Sequence, residues 1–284
     1  MEPTASRRIA FCADDVGLVG GVAETVTVLA AAGRLSSASC VTNAAAWPAE
    51  GAALAAATKG FGTFELGLHF NLTEGRPLSP DLARVWPALP GLKALIAGAH
   101  VGSLPIAALA SEWRAQADAF ADAVGRLPAH VDGHQHVHHL PRIRDVVLRS
   151  LEAHDKQVRP AVRNTGRVLG PGHAFKRMVI EGTGGRALQR ELRARGLRHN
   201  AALLGVYDFR NENYRGLVRD WLATAPERSG LVFCHPRRGP ASDDDPIAAA
   251  RGREAAYLAS AAFADDLAEA GFTVGSTWRS SSAD

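Results

Sequence analysis

No stretch of this chain approaches the roughly 20 consecutive apolar residues of a membrane span, although 46% of its 284 residues are hydrophobic. A soluble protein with ample material for a buried core is expected. Cysteine is scarce: Cys12, Cys40 and Cys234 are the three, none in a CxxC pair. That excludes a disulfide framework and a thiolate zinc ribbon, and each lies in a short apolar run that suits a buried, reduced thiol. Charge of one sign is lacking too, with a net charge of +3. Arg186, Arg190, Arg193, Arg195 and Arg198 fall near helical spacing and read as a solvated helix face, so no nucleic-acid partner is expected. No secretory signal is visible. The polar Met1 to Arg8 is followed by an apolar run, Ile9 to Ala13, too brief for a signal core, and a cytoplasmic location is expected. No GxGxxG follows the first strand, which removes the usual dinucleotide fingerprint.

What the chain does have is histidine, and unevenly. Of its 11 histidines, five lie in the eleven residues from Ala129 to His139. His130, Asp132, His134, His136 and His138 recur at spacing two, so an extended strand would turn all five to one face. Neutral imidazole and carboxylate are the usual ligands of a divalent transition metal, and a metal centre follows as the first expectation.

The remaining pattern alternates strands with helices. Arg8 to Ala13 reads as a buried parallel strand running into Asp14-Asp15. Val22 to Ala32 is a helix ended by Gly33. Leu35 to Thr42 and Phe64 to Leu72 are further strands, the latter carrying His69 near its end. A strand over 129–134, another over 158–163, one over 201–206, then Gly230 to Cys234 delivering His235, and Phe272 to Gly275 complete the set. Helices are expected over 47–58, from Leu109 to Gly125, from Pro141, over 186–195, over 214–225 and across most of 246–270. Residues 1–7 read as a disordered leader and 75–107, with five prolines between Gly75 and Pro105, as a long irregular insertion. The fold class expected over 8–284 is a single-domain α/β structure, a distorted TIM-like (β/α) barrel of seven or eight parallel strands, with a flat doubly wound sheet as the alternative.

Asp14-Asp15, His69, His134 and His235 each close a predicted strand. In a β/α barrel those ends converge on one rim, where catalytic groups gather. Each has a bland reading alone: a helix cap for the aspartates, a satisfied core histidine for His69. Four ligand-type or acid/base-type arrivals at one rim make the joint functional reading the stronger.

These segments carry a resemblance. Ala13-Asp14-Asp15-Val16-Gly17-Leu18, Gly67-Leu68-His69-Phe70-Asn71-Leu72-Thr73-Glu74-Gly75, the stretch His130 to His138, and Cys234-His235-Pro236 resemble, in order, the motifs of the YdjC-like carbohydrate deacetylases, the ChbG/HpnK family. Asp245-Pro246-Ile247, with Arg251 and Glu254, is similar to the family's closing region. Val16 stands where Phe is usual, Cys12 where Asn often is, and Arg237 where Gly usually follows His-Pro. The resemblance implies a β/α-barrel hydrolase that removes acetyl groups from N-acetylated sugars with one divalent metal, commonly Mg²⁺. By the same resemblance Asp15, His69 and His134 match the metal ligands and Asp14 the general base, and His235 is an expected acid. The donor set itself suits Zn²⁺ or another transition ion equally. Asp132 is a candidate to orient a ligating histidine. His136, His138, Trp86 and Arg237 are candidates for the surroundings of the site or the substrate, Trp86 by stacking on a sugar ring. Competing readings are another mononuclear metal-dependent hydrolase and a metal- or glycan-binding protein without catalysis. A homodimer is the base expectation for a soluble enzyme.

Overall fold

The computed structural model describes residues 7–239 and 245–278. Its centre is β1 (Arg7–Val16), whose residues from Ile9 onward are all buried. A strand covered on both faces needs apolar or internally paired side chains throughout, and Ile-Ala-Phe-Cys-Ala supplies them. The other strands are β2 (Ser37–Cys40), β3 (Glu65–Phe70), β4 (His130–Gly133), β5 (Ala161–Val162), β6 (Ala202–Leu204), β7 (Gly230–Cys234) and β8 (Phe272–Val274). All pairings are parallel, in the order β5-β4-β3-β2-β1-β7-β6, with β8 on β1.

Ile9 pairs with both Gly230 of β7 and Val274 of β8, so those strands flank β1 on opposite edges. Cys12 pairs with both β7 and β2, which puts β2 and β8 end to end along the same edge. Two isolated parallel bridges, Val162 with His199 and Val168 with Leu203, join the β5 side to β6. The sheet therefore curls back on itself as a distorted barrel rather than lying flat.

Between the strands run α1 (Val22–Ala31), α2 (Trp47–Thr58), α3 (Pro80–Val85), α4 (Leu92–Val101), α5 (Ile106–Val124), α6 (Ile143–Glu152), α7 (Ala174–Ile180), α8 (Arg186–Ala194), α9 (Tyr214–Thr224), α10 (Ala248–Ala259) and α11 (Ala261–Glu269). Two apolar cores result. The larger lies between sheet and helices and includes Phe11, Trp47, Phe70, Trp113, Trp221 and Phe263. The smaller fills the barrel interior with Ala10, Cys12, Leu203, Leu231 and Phe233, and Trp278 packs against it. Trp278 stacks on His130 at 4.8 Å and donates to Glu65, the first residue of β3, so it covers the N-terminal mouth.

Three expectations need correcting. The segment 75–107 is not structureless: it holds α3 and α4, and the Glu112 carboxylate on α5 accepts the backbone N–H groups of Leu78 and Ser79, pinning its start. The leader does not include Arg7, which opens β1 opposite Phe272; the rest of it lies outside the described residues. The histidine-rich stretch is not one strand. It leaves the sheet at Gly133, and His134–His139 forms a 3₁₀ turn in which Gln135 and His136 take φ of 51° and 63°. The period of two ends there, so the five side chains do not share a face. Among the described residues no helix is long and apolar enough to cross a membrane.

Candidate metal centre and active site

Successive residues of a strand normally face opposite ways. Asp14 and Asp15 escape that rule because Asp15 takes φ +66° and the β1–β2 register shifts between Ala13 and Val16. The irregularity re-aims a side chain at the strand end, as bulges beside active sites do. Asp tolerates the left-handed conformation better than most residues.

Asp15 Oδ1 lies 3.0 Å from His134 Nδ1 and 3.5 Å from His69 Nε2. One ligand atom from each of the three sits within 4.8 Å of the others, and all three residues are buried. The second oxygen of Asp15 accepts from Arg251 on α10 at 2.8 Å, which leaves Oδ1 to the histidines. His69 Nδ1 donates to Asp132 Oδ1 at 2.6 Å. Its Nε2 is thereby fixed as the atom facing Asp15, the arrangement of a ligating histidine oriented by a carboxylate. Burial pulls the His69 imidazole down, but Asp132, Asp14 and Asp15 outweigh it and raise it to about 10. A site with this much carboxylate favours positive charge, and the two-nitrogen, one-oxygen donor set fits a divalent ion with open positions.

Two other His/Cys/Asp groupings share these residues: Cys12-His130-Asp132, and Asp14-His69-Asp132. Both are already served by a cation. The Arg163 guanidinium, buried at the end of the β5 segment, lies 2.6 Å from each Asp14 oxygen, 2.6 Å from Asp132 Oδ2 and 3.2 Å from Cys12 Sγ. In the Asp15 grouping the nearby guanidinium, that of Arg251, takes Oδ2 of Asp15, and Oδ1 faces the two histidines.

The centre forms one wall of a cavity of about 670 Å³. Asp14, His134, His136 and His235 line its polar side, and Val179, Ile180, Phe209 and Phe233 much of its apolar side. His235 follows β7, and its ring meets Phe209 and Phe233 edge-on. Burial pushes it down to about 4, so its resting ring is neutral at neutral pH.

The other expected residues scatter. His138 turns away and donates to the Arg163 carbonyl. His130 lies deeper, against Ser39. Arg237 donates to the Gly20 carbonyl and does not line the cavity. Trp86 packs on the outer core and does not line the cavity either.

Sequence reasoning gave no site role to Arg163, Glu74, Arg251 or Glu254. Glu74 accepts from His134 Nε2 at 2.9 Å. It is presented by a loop that Asn71 organises, its side chain accepting from the backbone of Thr73 and Glu74. A signal for Arg163 existed: a charged residue closing a strand at the same end as the others.

The fold and this centre define a β/α-barrel protein with a two-histidine, one-carboxylate group at the C-terminal rim that could hold a metal ion. The chain belongs to the YdjC-like family, whose sequence profile, described as YdjC-like protein, matches residues 8–269. It is 32% identical over 210 residues to a mouse (Mus musculus) protein named carbohydrate deacetylase, across 70% of this chain and 66% of that one. It is 35% identical over 142 residues to a chitooligosaccharide deacetylase of Enterobacter sp. (strain 638), across 48% and 52%. The matches thus span less than two thirds of the length of either relative. A crystal structure of an Enterococcus faecalis V583 protein, named for cellobiose-phosphate cleavage, shares the fold with a TM-score of 0.69 at 16% identity, covering 95% and 97%.

Proposed function

We propose that this protein is a metal-dependent carbohydrate deacetylase, hydrolysing the acetamide of an N-acetylglucosamine-type oligosaccharide or glycolipid headgroup. The observation that carries the reading is the convergence of Asp15, His69 and His134 at one wall of a cavity, with Asp14 beside them. The names of the mouse and Enterobacter relatives point the same way.

Asp15, His69 and His134 would hold a divalent ion, Mg²⁺ by family resemblance and Zn²⁺ or another transition ion by donor chemistry. Such an ion supplies Lewis acidity toward a carbonyl and acidifies water. The protein's own groups do the rest. Asp132 holds His69 in one tautomer, and Arg251 holds Asp15. Asp14, fixed by Arg163, takes the proton of the attacking water. His235, on the cavity wall, delivers a proton to the departing amine. Val179, Ile180, Phe209 and Phe233 give the cavity an apolar wall beside the reacting centre.

The test is acetate release from a panel of N-acetylated sugars by metal-stripped protein, with Mg²⁺, Zn²⁺, Mn²⁺ or Co²⁺ restored singly. Metal-dependent release is expected and identifies both ion and sugar. Tight metal binding without release from any sugar would move the protein to another hydrolase class or to a binding role.

A further inference from the structure

Helix α10 sends two side chains to the site, three residues apart and therefore on one face. Arg251 reaches Asp15, as described. Glu254 reaches His235, and nothing in the sequence motifs explains why a wholly buried carboxyl stands there. One of its oxygens accepts the backbone N–H of His235, and the other accepts the Tyr207 hydroxyl. That second oxygen also lies 4.0 Å from His235 Nδ1. Nδ1 is buried and has no hydrogen-bond partner among the described residues. A buried imidazole nitrogen without a partner is uncommon and asks for a reason. Phe209 and Phe233, edge-on at 5.2 and 5.6 Å, restrict the ring to this orientation.

We infer that Glu254 is the positioning residue of His235: it anchors the backbone and accepts Nδ1–H when the ring is protonated, so that Nε2–H is offered to the leaving amine. The inference rests on the deacetylase reading. It gives a reason for the orphaned nitrogen, since a neutral ring protonated at Nε2 leaves Nδ1 without a hydrogen. Proton uptake creates at Nδ1 the donor that Glu254 faces at 4.0 Å.

The step balances. Water's O–H bond breaks and its proton goes to Asp14 as the new C–O bond forms. The amide C–N bond then breaks, and Nε2–H of the imidazolium passes its proton to nitrogen. Asp14 returns its proton and His235 regains one, through solvent, leaving acetic acid and the free amine, which pass one proton between them to become acetate and the ammonium. Glu254 is unchanged at the end.

The experiment compares Glu254→Gln, His235→Ala and the double variant, all metal-loaded. Two substrates are used: an N-acetylated sugar and p-nitrophenyl acetate, whose phenolate leaves unprotonated. Glu254→Gln should lower kcat on the sugar by about 10²-fold or more, the usual worth of acid–base catalysis, with KM and metal affinity unchanged. The double variant should lose no more than His235→Ala alone, because the pair acts as a unit. On the ester Glu254→Gln should lose far less than it does on the sugar, and Glu254→Asp should recover part of the amide activity. Equal losses on amide and ester, additive losses in the double variant, or an unimpaired Glu254→Gln would each overturn the inference. If circular dichroism shows Glu254→Gln to be unfolded, Glu254→Asp takes its place in the same comparison. A wild-type protein releasing no acetate from any N-acetylated sugar would remove the deacetylase reading itself, and this inference with it.

Discussion

Asp14 gives both of its oxygens to one buried guanidinium, that of Arg163, at 2.6 Å each. The same guanidinium lies 2.6 Å from Asp132, which in turn holds His69. Asp14, the proposed base, and Asp132, the carboxylate that orients His69, are thus indexed to a single cation inside the barrel. Removing that cation strands two carboxylates in a site with almost no solvent. Arg163→Met should therefore destabilise the fold by about 3–5 kcal/mol, the range for breaking a buried ion pair from one side. Urea unfolding monitored by tryptophan fluorescence reads it. Arg163→Lys should recover only part, because an ammonium lacks the planar fork that meets both Asp14 oxygens. A loss within about 0.5 kcal/mol, as at an ordinary surface site, would show that Arg163 does not neutralise this pair.

The two aspartates that Arg163 joins should fail differently. Asp132→Asn leaves His69 without its carboxylate partner and should weaken metal binding about 10- to 100-fold, the usual worth of an outer-shell partner. Asp14→Asn should bind metal normally and lose most acetate release. His134→Ala should lose both. Isothermal titration with Zn²⁺ or Mg²⁺, alongside the acetate assay, separates the three. Full turnover by Asp14→Asn would sink the assignment of Asp14 as base.

The aspartate pair, His69, His134 and His235 were legible in the sequence because each closes a strand, and strand ends are what a β/α barrel gathers. Strand positions followed from short buried runs such as Ile9 to Ala13. What was not legible depends on long-range closure. Arg163 closes a strand as the others do, but its contact with Asp14 spans 149 positions and that of Arg251 with Asp15 spans 236, so no local spacing announces either partner. The histidine stretch misled for a local reason. A period of two predicts one face only while the backbone stays extended, and Gln135 and His136 break it with positive φ. The 75–107 segment misled through its prolines, one of which begins α3 rather than preventing a helix: Pro80 follows the N-cap Ser79.

Gly67 tests the packing below the site. A Cβ built there would lie 2.3 Å from His130 Nε2, with two ring carbons nearly as close. His130 has little room to retreat, since Trp278 stacks on its ring at 4.8 Å and Ser39 holds Nε2 at 3.0 Å. Gly67→Ala should cost about 1–3 kcal/mol, the range for overpacking a filled core, and lower the thermal midpoint. Gly60, with open space around its Cβ position but φ +96°, gives a contrasting case in which the cost comes from the backbone alone. A Gly67→Ala protein as stable as the wild type would mean that the barrel floor yields more readily than its contacts suggest.

Glu254 should also leave a mark on stability against pH. Burial raises its carboxyl from 4.5 to about 7, against the hydrogen bonds from Tyr207 and His235 and the charge of Arg251, which pull it down. The folded protein therefore holds this proton more tightly than the unfolded chain does. The associated stability is fully present below about pH 4.5 and is lost as pH rises through 7. The interval corresponds to about 3 kcal/mol at 1.36 kcal/mol per pH unit. Glu254→Gln carries no titrating group there. The difference in unfolding free energy, wild type minus variant, should fall by about that amount between pH 4.5 and 8 and be flat above it. Urea melts at half-unit intervals measure the difference directly, and other titrating groups cancel because both proteins share them. A difference independent of pH would place the Glu254 carboxyl near its ordinary value and remove burial as the dominant influence on it.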